Sequence, residues 1–81
     1  MTDAQKLTRK VEAAIKRADP NAITERTFYD EISNRLFVNI FKGSRKTEII
    51  FIVSEYNNGN SERIDGIVER AVERLKHTPI G

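Results

Sequence analysis

The chain has 81 residues, of which 38% are hydrophobic and 32% charged, a balance that predicts one small domain, residues 1–81, with a modest core. Its 14 Lys and Arg residues exceed its 12 Asp and Glu residues by only two, which is a weak signal for a nucleic-acid partner. The absence of cysteine excludes disulfides, thiolate metal sites and a thiol nucleophile.

The first predicted element is a helix that starts after Thr2 and ends at Asp19. Thr2 and Gln5 have the spacing of a capping box, and a residue that precedes proline, as Asp19 precedes Pro20, is disfavoured in a helix. Apolar residues recur at helical spacing and form one stripe that is predicted to face the core. These residues are Ala4, Leu7, Val11, Ala14, Ile15 and Ala18.

Three β-strands are predicted between residues 22 and 53. The first lies within AITERTFYDEIS, where strand-forming residues alternate poorly and charges predict a sheet edge. The other two form a hairpin across a basic turn at 42–46. Because short turns join sequential strands, we expect an antiparallel meander.

A second helix is predicted after a turn at 56–60, with Asn60 or Ser61 as its cap and Thr78-Pro79 as its end. Its apolar stripe is Ile64, Ile67, Val68, Ala71, Val72 and Leu75. The order α-β-β-β-α predicts an α+β fold in which two helices pack on one face of a three-stranded antiparallel meander.

The same element order occurs in the double-stranded-RNA-binding fold, among others, and order alone does not settle function. That family carries a lysine cluster near the start of its second helix. This chain instead reads Asn-Ser-Glu-Arg-Ile-Asp at residues 60–65, so the sequence is assigned to no family.

Both faces of the predicted hairpin are apolar, which is unusual for a small antiparallel sheet that is covered on one side only. One set of its side chains is expected beneath the helices: Leu36, Val38, Ile40, Ile50 and Ile52. The other set is the predicted protein interface: Phe37, Phe41, Ile49, Phe51 and Val53. Monomeric proteins rarely expose contiguous apolar patches beyond a few hundred Å², so we expect the uncovered set to meet a partner.

The first functional hypothesis is therefore a non-enzymatic binding or assembly module that engages itself or another protein through the open apolar face. A second copy is the simplest partner, because two-fold dimers are the commonest oligomers. An alternative remains open, in which strand register, sheet twist or one helix on each face buries all of these residues within one chain.

A second hypothesis is a nucleic-acid-binding module that uses the first helix and the hairpin tip. Lys and Arg side chains there would neutralise phosphates, and exposed phenylalanines could stack on unpaired bases. The residues are Lys6, Arg9, Lys10, Arg17, Lys42, Arg45 and Lys46. A solvated helix face and a hairpin tip kept basic against aggregation explain the same charges.

Catalysis, a cofactor, a metal and a membrane are not expected. The sequence has a single histidine, His77, and no phosphate-binding loop, nucleophile elbow or metal-binding His pair, although folding could still bring two carboxylates together. The longest apolar run, Ile49 to Val53, is far shorter than the roughly 20 residues of a membrane span. The polar N-terminus lacks the core of a signal peptide, which predicts a cytoplasmic protein.

Overall fold

The computed structural model describes residues 2–56 and 61–77, and its elements follow the predicted order α-β-β-β-α. The elements are α1 (Asp3–Ala18), β1 (Ile23–Asp30), β2 (Arg35–Lys42), β3 (Arg45–Ile52), a 3₁₀ turn (Val53–Tyr56) and α2 (Ser61–Lys76). The predicted cap of α2, Asn60 or the Ser61 side chain, and its predicted end at Thr78-Pro79 lie outside the described residues. Neither α1 nor α2 is long and apolar enough to cross a membrane.

The capping box predicted for α1 is confirmed. The Thr2 hydroxyl accepts a hydrogen bond from the backbone N–H of Gln5 at 3.2 Å, and the Gln5 side chain accepts one from the backbone N–H of Thr2 at 2.9 Å. The two bonds satisfy amide groups that a helix start leaves without intrahelical partners. At the other end, Asp19 has an extended backbone and donates its N–H to the Ile15 carbonyl.

The three strands form one antiparallel sheet in the order β1-β2-β3, so the predicted meander and the predicted edge position of β1 are both confirmed. A bulge interrupts the β1–β2 pairing between Glu25 and Phe28, and Arg26 there has a positive φ of 57°. A bulge bends a strand and leaves a residue unpaired, which makes an edge a poor template for a foreign strand.

A two-residue loop, Gly43-Ser44, joins β2 to β3, because Lys42 pairs directly with Arg45. Gly43 has a φ of +62°, which suits the hairpin turns that match strand twist. The resulting register places Leu36 opposite Phe51. Directly opposed residues share a face of the sheet, so the side chain of Phe51 lies on the same face as that of Leu36.

The core lies between this inner face and the two helices. It forms one cluster in which the sheet and the following turn supply Leu36, Val38, Ile40, Ile49, Phe51, Val53 and Tyr56, and the α1 and α2 stripes supply most of the rest. Within the α1 stripe Ala18 is only partly buried, as is Ile67 in α2. Both helices run toward the hairpin tip, where Lys42 contacts Asp19 at the end of α1 and Arg45 donates to the Lys76 carbonyl at the end of α2.

The prediction for the two faces of β3 is wrong. Ile49, Phe51 and Val53, predicted to face outward, are 6%, 1% and 2% exposed and belong to the core. Ile50 and Ile52, predicted beneath the helices, are 51% and 38% exposed. With five turn residues at 42–46, even-numbered residues of β2 would pair with even-numbered residues of β3, whereas the two-residue loop pairs even with odd. The register therefore shifts by one residue, and such a shift exchanges the faces of a strand.

Candidate functional site on the open face of the sheet

The side of the sheet opposite the helices, here called the open face, is not covered by any described helix or strand. Cross-strand pairing arranges its side chains in four rows, numbered from the hairpin tip. The first row is Ile23, Phe41 and Lys46; the second is Glu25, Asn39 and Glu48; the third is Phe28, Phe37 and Ile50; the fourth is Asp30, Arg35 and Ile52.

The third row is wholly apolar. Phe28 is 61% exposed and Ile50 is 51% exposed, while Phe37 between them is half-buried. The rings of Phe28 and Phe37 lie with their centroids 6.1 Å apart at an interplanar angle of 34°, within the range of favourable aromatic pairs. Ile52 of the fourth row extends this apolar strip along β3.

The second row is polar and rich in hydrogen-bond acceptors. The Asn39 amide nitrogen donates to the Arg26 carbonyl at 3.4 Å, but its side-chain oxygen is buried and accepts no hydrogen bond from any described residue. The residues paired with it on either side, Glu25 and Glu48, carry carboxylates that accept hydrogen bonds and donate none. This row would be satisfied by a cation or a hydrogen-bond donor.

The fourth row holds Asp30 and Arg35, which pair directly across β1 and β2. The Asp30 carboxylate accepts hydrogen bonds from the Ser33 hydroxyl at 2.9 Å and the Ile32 backbone N–H at 3.0 Å. Chiefly because of the Ser33 bond, and with help from the Arg35 charge, the pKa of Asp30 lies below its ordinary value. Within the described residues no carboxylate is in ion-pair contact with Arg35.

Two other features border the open face. The Lys46 ammonium lies over the Phe41 ring, 5.8 Å from its centroid, which is the geometry of a weak cation–π contact. At the opposite end, Ile32 in the turn between β1 and β2 is 98% exposed. An isoleucine so exposed contributes nothing to the core.

Of the predicted interface residues, only Phe37 and Phe41 lie on the open face; Ile49, Phe51 and Val53 lie in the core. Their role as an interface stays a prediction. Sequence reasoning missed four large apolar residues of this face: Ile23, Phe28, Ile50 and Ile52. Reading Gly43-Ser44 as a two-residue loop would have placed Ile50 and Ile52 on the open face. The bulge in β1 interrupts the alternation that would have placed Ile23 and Phe28 there.

The structure does not bring the seven predicted nucleic-acid-binding residues to one surface. Arg17 pairs with Asp65 at 2.7 Å, and Lys46 lies on the open face. As described above, Lys42 and Arg45 hold the helix ends. The remaining three are exposed along α1: Lys6, Arg9 and Lys10. Nucleic-acid binding by these residues stays a prediction, and the intramolecular contacts of four of them do not favour it. These four are Arg17, Lys42, Arg45 and Lys46.

Asp19 is the most buried charged residue described, at 6% exposure. It accepts hydrogen bonds from the Lys42 ammonium at 2.6 Å and the Asn21 backbone N–H at 3.0 Å. These bonds, the one from Lys42 foremost, hold the pKa of Asp19 below its ordinary value of 3.8, although burial acts in the opposite direction.

We therefore expect the protein to lose stability in acid. A carboxylate whose pKa is lowered by folding stabilises the folded state above its unfolded pKa, and this contribution disappears as the pH falls through the folded pKa. Urea unfolding between about pH 7 and pH 2.5 should thus show a free energy of unfolding that falls below about pH 4. Asp19→Asn should be less stable than the wild type near neutral pH and should lose less stability as the pH falls. If the variant lost as much stability in acid as the wild type, Asp19 would not be the source of the pH dependence.

Comparisons of the chain with protein-family models, curated proteins and solved structures found no match. Within residues 2–56 and 61–77, no group of three or more His, Asp or Glu side chains is placed to hold a metal ion. A functional proposal for this chain therefore rests on the surface chemistry of its own residues.

Proposed function

We propose that this chain is a non-enzymatic binding or assembly module whose open face docks against protein. The observation that carries the proposal is the third row of that face, where Phe28, Phe37 and Ile50 lie side by side and the two outer residues are more than half exposed. The solvated face of a small antiparallel sheet is ordinarily polar, and the fold itself makes no use of these exposed surfaces.

Covering the third row would be favourable because removal of apolar surface from water contributes roughly 25 cal/mol per Å². Phe37 is already half-buried and lies beside the Phe28 ring, so part of its side-chain freedom is lost before any partner binds. Aromatic residues of this kind are enriched at the centres of protein interfaces.

The charges of the open face favour a protein over a nucleic acid. Three carboxylates accompany two cations: Glu25, Asp30 and Glu48 with Arg35 and Lys46. A polyphosphate backbone would meet net repulsion here, whereas a protein surface can present both signs of charge. Polar and charged groups around an apolar centre are the usual arrangement of a protein interface.

Site-specific photo-cross-linking tests the proposal. The photoreactive residue p-benzoylphenylalanine at position 28 or 50 should give discrete protein adducts in cells that express the chain. The matched control is position 70 on α2, where the exposed Arg70 lies outside the open face and should give none. Phe37→Thr should remove the adduct from position 28. Equal adducts from positions 28 and 70, or none from 28 and 50, would refute docking at this face.

A further inference from the structure

We infer that the occupant of the open face is a second copy of this chain, bound face to face. The two copies are related by a two-fold axis that lies between the two sheets and passes over Phe37 of β2. The inference rests on the proposed function of the open face and identifies its partner. It is carried by the positions of charged, polar and apolar side chains along the central strand.

The central strand is symmetric in its chemistry about Phe37. Arg35 and Asn39 lie two residues to either side on the same face, each about 7 Å away along the strand. An axis that runs parallel to the sheet and perpendicular to β2 at Phe37 places Arg35 of each copy over Asn39 of the other. Because a two-fold interface is isologous, the contact forms twice.

The contact joins groups that retain unused hydrogen-bonding or ion-pairing capacity among the described residues. The side-chain oxygen of Asn39 accepts no hydrogen bond from the described part of the chain, and Asn39 lies between Glu25 and Glu48. Arg35 brings a positive charge and five N–H donors in a planar fork. The guanidinium of one copy would therefore enter an acceptor row that carries two negative charges in the other.

Two pairs of like charges also approach in this arrangement, because Asp30 of each copy lies over Glu25 of the other. The Asp30 carboxylate is already held by the Ile32 N–H and the Ser33 hydroxyl, and Arg35 is its cross-strand neighbour. Arg35 would thus lie beside both carboxylates and reduce their repulsion.

The same operation covers the exposed apolar residues. The third row of each copy, Phe28, Phe37 and Ile50, packs against the third row of the other. The axis also brings the turn that contains Ile32, which is 98% exposed, toward the first row of the other copy. Ile23 of that row is 54% exposed. The arrangement therefore accounts for the exposed isoleucines at both ends of the sheet.

The other simple axis is disfavoured by charge. An axis parallel to β2 exchanges the positions of β1 and β3 and leaves the rows in place. It would set Glu25 against Glu48 of the other copy and Arg35 against itself. Opposed like charges destabilise an interface, so the perpendicular axis is selected.

The size of the face sets the expected affinity. Strands of eight residues are about 26 Å long and three of them cover a width of about 14 Å. The face is then close to 400 Å² per copy, or about half of a standard interface. We expect a dimer with a Kd on the order of 100 µM, which is visible in sedimentation at that protein concentration.

A charge-exchange experiment tests the arrangement by sedimentation equilibrium of the purified full chain. Arg35→Glu alone places four pairs of like charges in the homodimer, because the new carboxylate faces both Glu25 and Glu48 of the other copy, and Glu48→Arg alone places two. Each variant should weaken the dimer by about ten-fold or more. An equimolar mixture of the two variants should associate more tightly than either variant alone, because each mixed dimer keeps opposite charges at both contacts between positions 35 and 48 and has one pair of like charges, at Glu25. The double variant carrying both changes should dimerise more tightly than Arg35→Glu alone.

Circular dichroism and thermal unfolding of each variant provide the control for folding, and Arg35→Gln is the milder variant if Arg35→Glu is unstable beside Asp30. A wild-type chain that stays monomeric near 1 mM, while position 28 still cross-links to a different protein, would refute the second copy and leave the proposed function standing. A dimer whose mixed variants do not recover would refute the axis. A monomer without cross-links would refute both proposals.

Discussion

Phe51→Ala is expected to lower the free energy of unfolding by about 3–5 kcal/mol, whereas Ile50→Ala, one position away, should cost less than about 1 kcal/mol. Phe51 is 1% exposed, and its ring meets the Tyr56 ring edge-on with centroids 5.2 Å apart. Its loss leaves a cavity and removes that aromatic contact.

The neighbouring Ile50 is the matched control because strand side chains point to opposite faces in turn. It is 51% exposed, so its truncation removes little buried surface from the single chain. Urea unfolding followed by circular dichroism below about 10 µM protein would measure both losses with little contribution from association.

A domain of this size has a total stability of only about 5–15 kcal/mol, so Phe51→Ala can unfold the chain outright. Phe51→Leu keeps most of the apolar volume and should give a smaller, measurable loss. Equal losses for Phe51→Leu and Ile50→Ala would contradict the register in which Leu36 opposes Phe51.

The second large effect concerns association: Phe37→Thr is expected to weaken the dimer about 30-fold. Phe37 lies on the inferred axis, so each dimer loses two aromatic side chains at the centre of its interface. A loss of about 1 kcal/mol per copy amounts to about 2 kcal/mol for the dimer, which corresponds to this factor. Threonine retains strand propensity, so the sheet should persist.

Phe41→Thr is the comparison, since Phe41 lies on the same strand and face but about 13 Å from the axis. It should weaken the dimer by a smaller factor. Sedimentation equilibrium of both variants, with thermal unfolding as the folding control, measures the order of the two effects. A larger loss for Phe41→Thr would move the axis toward the hairpin tip and contradict the pairing of Arg35 with Asn39.

Local patterns in the sequence are sufficient to predict the helices and the element order. The spacing of Leu7, Val11 and Ala14 matches a helix that buries one side, and all three are buried. The capping box needs only two residues three positions apart, Thr2 and Gln5. Such features depend on contacts within one or two turns of the chain, which is why composition and periodicity reveal them.

The intramolecular roles of the basic residues could not be predicted in this way. Lys42 is 23 positions from the carboxylate of Asp19 that it contacts, and Arg17 is 48 positions from Asp65. The sequence around a lysine at a hairpin tip is the same whether its ammonium group binds a phosphate or pairs with a carboxylate at the end of a helix. Only the tertiary contact decides between them.

The apolar character of both hairpin faces can be read from the sequence, because the alternation along Leu36 to Phe41 and Ile49 to Val53 is visible without a fold. Which of the two faces is open follows from the three-dimensional arrangement alone. Which side chains of β3 face the helices depends on the register between β2 and β3. That register depends on the number of residues in the loop that joins them, and a one-residue shift of register exchanges the faces. The two-residue loop at Gly43-Ser44 buries Phe51, exposes Ile50 and completes the apolar row with Phe28 from a bulged strand.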